Sequence, residues 1–342
     1  MSIITVIQKS VQDIYILIDK LMEYLFQLLE SIKSEKMKKI VLVIIFISVS
    51  ITSYSQQDSQ FTQYMYNTIN INPAYAGSRG VLSIFGLHRN QWVGLDGAPV
   101  TNTFSLNTPF SKSRIGLGVS IINDRIGPSE ENTISVDVSY SVPVSETFKL
   151  SFGVKGTANL LNIDFNKLNQ YDPGDVLAQR NIDNKFSPNI GAGIYLHSNR
   201  SYIGFSVPNF LETEHFDKEN SIASVASERM HYHLIGGHVF DLSESIKFKP
   251  AFLGKLVEGA PLQVDISANF LFNEKFTLGA AYRWSAAMSG MVGFQISESW
   301  MIGYAYDMET TKLAHYNSGS HEIFLRYELF KNYNKVVSPR FF

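Results

Sequence analysis

The sequence predicts an all-β protein, a transmembrane barrel of the outer-membrane type with about fourteen antiparallel strands, short periplasmic turns and longer extracellular loops. Three observations predict it. From residue 81 onward the apolar side chains recur with a period of two, not 3.6. No stretch after residue 55 is apolar for the ~20 residues that a spanning helix needs. The connections between the alternating segments also sort by parity, with a tight one at every second position. Composition agrees. Charged residues make up 18 %, below the roughly 25 % of soluble domains, while aromatic residues reach 13 %. A soluble sandwich would share the alternation but has no reason to sort its loops by parity.

The elements follow in order. Residues 1–36 include "VQDIYILIDKLMEYLFQLLESIK", which has helical apolar spacing but lies ahead of a second methionine, and they are expected to be a misassigned upstream extension. Met37-Lys38-Lys39, the apolar "IVLVIIFISVS" and a stretch of small residues ending near Ser55 are the three parts of a secretory signal peptide, over 37–55. Residues 56–80 then form a periplasmic N-terminal leader rich in Tyr, Asn and Gln. The barrel is expected over 81–330, and a periplasmic C-terminal tail over 331–342.

Strands are expected near 81–90, 100–108, 113–124, 131–142, 147–160, 185–197, 200–207, 229–240, 245–257, 262–272, 275–285, 289–297, 299–308 and 320–330. In "TISVDVSYSV", Ile134, Val136, Val138 and Tyr140 oppose Ser135, Asp137, Ser139 and Ser141. In "RIGLGVSII" the second face is Gly116, Gly118 and Ser120. Apolar residues should meet lipid and the small or polar face should line the lumen. Tyr140, Phe240, Trp284, Trp300 and Tyr327 fall near strand ends, where interfacial aromatic girdles belong. Closure removes every sheet edge, so all backbone groups in the bilayer are paired.

Chemistry is sparse. The chain has no cysteine, which removes disulfides, thiolate zinc sites and cysteine nucleophiles. Its 29 basic and 31 acidic residues give no general attraction to nucleic acid. No nucleophile elbow, phosphate loop or zinc-protease motif is present, so no enzyme activity, catalytic residue, cofactor or metal site is expected. His231 and His233 share a strand face, a geometry that suits a metal pair but also two polar lumen histidines. By alternation, Asp137, Lys155, Asp265, Arg283, Asp307, Arg326 and Glu328 should point into the lumen. Buried charges need partners or water. These form either an ion network of the wall or a docking surface for a peptide or for the leader itself.

The leader reads two ways: as a disordered lead-in, or as an ordered segment. For order, Pro73 restricts Asn72 to extended conformations and Gly77 permits a positive φ before the first strand. Phe61, Tyr64, Tyr66, Asn72, Pro73 and Tyr75 are then candidates to pack into the periplasmic mouth or onto a periplasmic partner. Arg89 and Trp92, around the loop "NQWVGLDGAP", are further candidate contacts.

Two spaced signatures, "FTQYMYNTININPAYAG" and "GLHRNQWVGLDGAPVTNTFSLNTPF", with the ending "SPRFF", resemble the PorP/SprF family of the Bacteroidetes. The resemblance spans essentially the whole mature chain. It implies a cell outer-membrane component tied to type IX secretion and gliding motility, without enzyme activity. It also implies help in secreting or anchoring a partner, an adhesin carrying a type B C-terminal domain. Further implied partners are secretion-system components including a periplasmic ring lipoprotein, and a peptidoglycan-binding periplasmic protein. The alternative from another class is a passive channel for small or apolar solutes, since fourteen strands can enclose a lumen.

Overall fold

Hydrogen bonds in an alternating chain of this kind can be completed only between strands, and every strand here finds two neighbours. The computed structural model describes residues 60–110, 113–167, 181–211, 230–257, 260–329, 340 and 342. The expected extension at 1–36 and the signal peptide at 37–55 lie outside the described residues. The strands are β1 (Leu82–Asn90), β2 (Val100–Pro109), β3 (Ile115–Ile126), β4 (Ser129–Pro143), β5 (Lys149–Ile163), β6 (Ile182–His197) and β7 (Ser201–Val207). They continue as β8, which runs His231–His238 and resumes past Val239 as Phe240–Asp241, then β9 (Ile246–Val257) and β10 (Gln263–Phe272). β11 (Phe276–Arg283), β12 (Ala287–Gln295), β13 (Trp300–Glu309) and β14 (Ser320–Leu329) complete the set.

Each strand pairs antiparallel with the next, and β14 pairs with β1 from Leu82↔Leu329 to Asn90↔His321. The sheet is therefore a closed cylinder of fourteen strands, and the bounds expected from sequence agree with it to within a few residues. Six short connections, the longest 110–114 and 144–148, share one rim with the start of β1 and the end of β14. That is the periplasmic rim. The opposite rim carries 91–99, 164–181, 208–230 and 310–319. It also carries the two-residue turn Gly127-Pro128 between β3 and β4, where a six-residue loop was expected. Gly127 turns at φ +55°, which lets the hairpin run on above its neighbours.

The outer face is apolar. Ile134, Val136, Val138 and Tyr140 are exposed, as are Ile323, Leu325 and Leu329. Toward the periplasmic rim, Phe240, Phe248, Phe270, Phe272 and Phe276 form a run of neighbouring rings around β8–β11, with successive centroids 4.8–6.5 Å apart. Trp300 and Tyr327 continue the band at 4.7 Å. Toward the other rim the outward face turns polar at one level. His88 Nδ1 meets Asn102 Oδ1 at 2.8 Å, Asn102 donates to Asn123 at 3.4 Å, and Asn123 donates to Asn132 at 2.9 Å. These four residues are register partners across β1–β4, so they mark where the lipid-facing belt ends on that side.

The inward face holds the surprise. It is mostly small and polar, as the alternation predicts, but the lumen also contains a hydrophobic core. Phe85, Leu87, Tyr195, Ile235, Met291, Met301 and Phe324 of the wall are buried in it together with Tyr64, Met65, Tyr66, Ile69 and Tyr75 of the leader. The leader was expected to be periplasmic over 56–80. Residues 61–79 lie inside the barrel, because a segment carrying this much apolar surface buries it against matching inward side chains.

Candidate functional site: a filled lumen

Three short 3-10 turns, Tyr64–Tyr66, Thr68–Asn70 and Pro73–Tyr75, give the leader its compact path. Such turns leave backbone groups that must be satisfied by other partners. Asn72 is extended at φ −134° and ψ 112°, as the following proline demands. Its Oδ1 accepts from Ala74 N–H at 2.9 Å, capping the turn, and its Nδ2 donates to Ile194 O of β6 at 2.9 Å. Wall hydroxyls serve the remaining carbonyls. Ser206 donates to Ile71 O at 2.8 Å, and Ser139 to Ala76 O at 2.7 Å. The Lys155 ammonium donates to Ile69 O at 3.2 Å and Asn70 O at 3.3 Å.

Glycine on the wall sets how closely the leader can approach. A Cβ on Gly153 would collide with the Pro73–Ala74 backbone, one on Gly116 with the Ala76 carbonyl, and one on Gly193 with the Asn72 amide. The small inward residues read in β3 make room for the leader, Gly116 for the Ala76 backbone and Gly118 for the Ile69 side chain. Gly77 closes the segment at φ +69°, with Gly116 Cα only 2.7 Å from where its own Cβ would sit.

The lumen charges form ion pairs, some to the leader. Asp137 and Lys155 are register partners 3.6 Å apart, and Arg283 Nε contacts Asp265 at 3.1 Å. Arg89, a candidate partner contact from the sequence, is the hub of a cluster near the outer rim. It reaches Asp307 at 2.7 Å and Glu322 at 3.0 Å. Thr62 joins them, its hydroxyl donating to Asp307 at 2.6 Å, while the Thr62 and Gln63 N–H groups donate to Glu322 at 3.0 and 2.8 Å. At the periplasmic end Arg79 pairs with Glu328, and Arg326 Nε lies 3.8 Å from the same carboxylate.

The C-terminal end closes the periplasmic mouth. Arg340 donates to Ser198 O at 2.8 Å and Ser78 O at 3.0 Å, tying the tail to a turn and to the leader. Lys249 Nζ donates to Arg340 O at 3.4 Å and sits 4.7 Å from the Phe342 ring centroid. The rest of the expected tail, 331–339 and 341, lies outside the described residues.

Tyr64, Tyr66, Asn72, Pro73 and Tyr75 are therefore buried against the wall, and Phe61 packs on the same core. Within the chain these six touch the barrel wall. Tyr66 lies 4.7 Å from Phe324, and Tyr75 meets Tyr195 edge-on at 5.7 Å. Trp92 is different. It stands at the outer rim at φ +50°, its indole donating to Glu309 at 3.1 Å. Its loop lines a cleft of about 470 Å³ with Asp96, Arg125 and Lys167. Sequence reading missed Glu322, although extending the alternation back from Arg326 reaches it. It also missed Lys249, Thr62 and Arg79, whose roles depend on where the leader lies. His231 and His233 do face the lumen, with ring centroids 6.2 Å apart, and among the described residues no group of three metal-ligating side chains forms.

Solved barrels resemble the chain at low identity. They include Omp33 of Acinetobacter baumannii (10 % identity, TM-score 0.44, covering 73 % of this chain and 98 % of that one). Others are the CymD monoaromatic hydrocarbon channel (13 %, 0.46, 79 % and 93 %) and the Pseudomonas putida toluene transporter TodX (9 %, 0.42, 81 % and 95 %). No curated protein matches significantly. The description "Type IX secretion system membrane protein PorP/SprF" matches residues 53–327, most of the chain. With its closed barrel and its "NPAYAG" segment seated in the lumen, the chain belongs to the PorP/SprF family of type IX secretion system membrane proteins.

Proposed function

We propose that this protein is a non-enzymatic outer-membrane component of the type IX machinery that helps secrete or hold a partner protein at the cell surface. One observation carries the reading: the leader and the C-terminal residues occupy the lumen, so the rims are the surfaces left for a partner. The outer cleft beside Trp92 is the contact we assign to the secreted protein, an adhesin with a type B C-terminal domain. The periplasmic rim, with its turns and the clamped tail, is the side that would meet a ring lipoprotein or a peptidoglycan-binding protein. A passive channel would need a continuous aqueous path, which a seated leader opposes. Deletion of the gene should remove one surface protein while solute uptake stays normal. Co-purification from outer membranes in mild detergent should recover that protein, and the recovery should fall for Trp92→Ala. Steady single-channel conductance by the pure protein in planar bilayers, with surface display intact in the deletion strain, would overturn the reading.

A further inference from the structure

We infer that the leader threads the lumen from rim to rim, with Gln60 at the extracellular rim, opposite the periplasmic rim where β1 begins. The direction is read from successive contacts, each with a wall residue of known height. Gly77 abuts Gly116, the second residue of β3, beside the periplasmic turn. Ala76 is held by Ser139 and Ala74 rests on Gly153, both four residues from the periplasmic ends of β4 and β5. Ile69 O meets Lys155, two residues higher on β5. Asn70 donates to Thr103 at 3.0 Å, and Thr103 is already near the outer end of β2. Thr62 is fixed by Asp307 and Glu322, each third from the outer end of its strand. Gln60 exchanges hydrogen bonds with Gln263, the first residue of β10 at the outer rim, at 2.8 and 3.1 Å.

A second observation gives the level in the membrane. Arg89, which holds Thr62, directly follows His88, a member of the outward polar row that ends the lipid-facing belt. Thr62 is therefore at the outer boundary of the bilayer. The lumen beneath it holds residues 63–79, packed against inward side chains of the wall. The barrel must have closed around its own N-terminal segment, with β1 turning back at Gly80 (φ +78°) after the leader has descended. A partner that meets the chain at Gln60 is then an extracellular one, whether or not the barrel anchors a secreted protein.

The absence of cysteine makes a single-thiol test clean. Gln60→Cys, Ala314→Cys in the outer 310–319 loop and Glu244→Cys in a periplasmic turn would be expressed in the natural host, and intact cells treated with a maleimide carried on polyethylene glycol of several kilodaltons. Gln60→Cys should be labelled to the same extent as Ala314→Cys, while Glu244→Cys should be labelled only after the outer membrane is breached. Labelling of Gln60→Cys only after breaching, or only after denaturation, overturns the inference. An epitope inserted directly ahead of Gln60 and stained on intact cells is the second measurement. It should be reached without permeabilisation, and staining that requires permeabilisation counts against the inference.

Discussion

Gly153→Val is the sharpest perturbation of the filled lumen. A Cβ there meets Ala74 N, Pro73 C and Ala74 Cα, all backbone, so no flexible side chain can swing aside. Either β5 distorts or the Pro73–Tyr75 turn lifts off. Lifting it breaks the Asn72–Ile194 and Ser139–Ala76 hydrogen bonds, at about 1 kcal/mol net each. It also exposes Tyr75, which costs ~1.5–3 kcal/mol. Overpacking a close-packed site typically costs ~1–3 kcal/mol in its own right. The expected destabilisation is thus about 3–5 kcal/mol. The control is Gly156→Val on the same strand, which faces lipid and has nothing within 4 Å of its added Cβ. Thermal unfolding followed by heat-modifiable gel mobility should show a lower midpoint for Gly153→Val and none of that loss for Gly156→Val. Planar bilayers should show conductance events for Gly153→Val alone. Equal midpoints and equally silent bilayers for the two variants would refute the idea that the leader is seated against β5.

Three further outcomes follow from the same geometry. Arg89→Leu leaves the Asp307 and Glu322 carboxylates buried without their cation, and should cost ~3–5 kcal/mol in denaturant titrations of the detergent-solubilised barrel. Asn67→Cys with Ser105→Cys, whose native side chains meet at 2.7 Å, should form a disulfide on oxidation that shifts mobility on a non-reducing gel. If partner display persists with that bridge closed, the leader stays in place during function; if display is lost until reductant is added, the leader moves. Ending the chain at Pro339 removes the Arg340 clamp and leaves Lys249 buried without that carbonyl or the Phe342 ring. Protease cleavage after Arg79, tested from the periplasmic side, should then become faster.

The amino-acid sequence by itself determined the wall. Alternation between neighbours is local information, because in a strand each side chain's face is settled by the parity of its position. That is why the strand count, their bounds and the lipid-facing and lumen-facing sets of β4, β13 and β14 were legible residue by residue. Parity also placed Asp137, Lys155, Asp265, Arg283, Asp307, Arg326 and Glu328 inside. Only the tertiary structure decided what fills the cylinder. The leader is held by contacts such as Thr62 with Asp307 and Gln60 with Gln263, more than two hundred residues apart in sequence. Its 3-10 turns carry no period from which a partner could be read. Arg89 shows the consequence: its inward position follows from alternation, but its role as a hub exists only once Thr62, Asp307 and Glu322 are brought around it. The inward glycines are the same case, since a missing side chain states that something comes close and leaves open which segment it is.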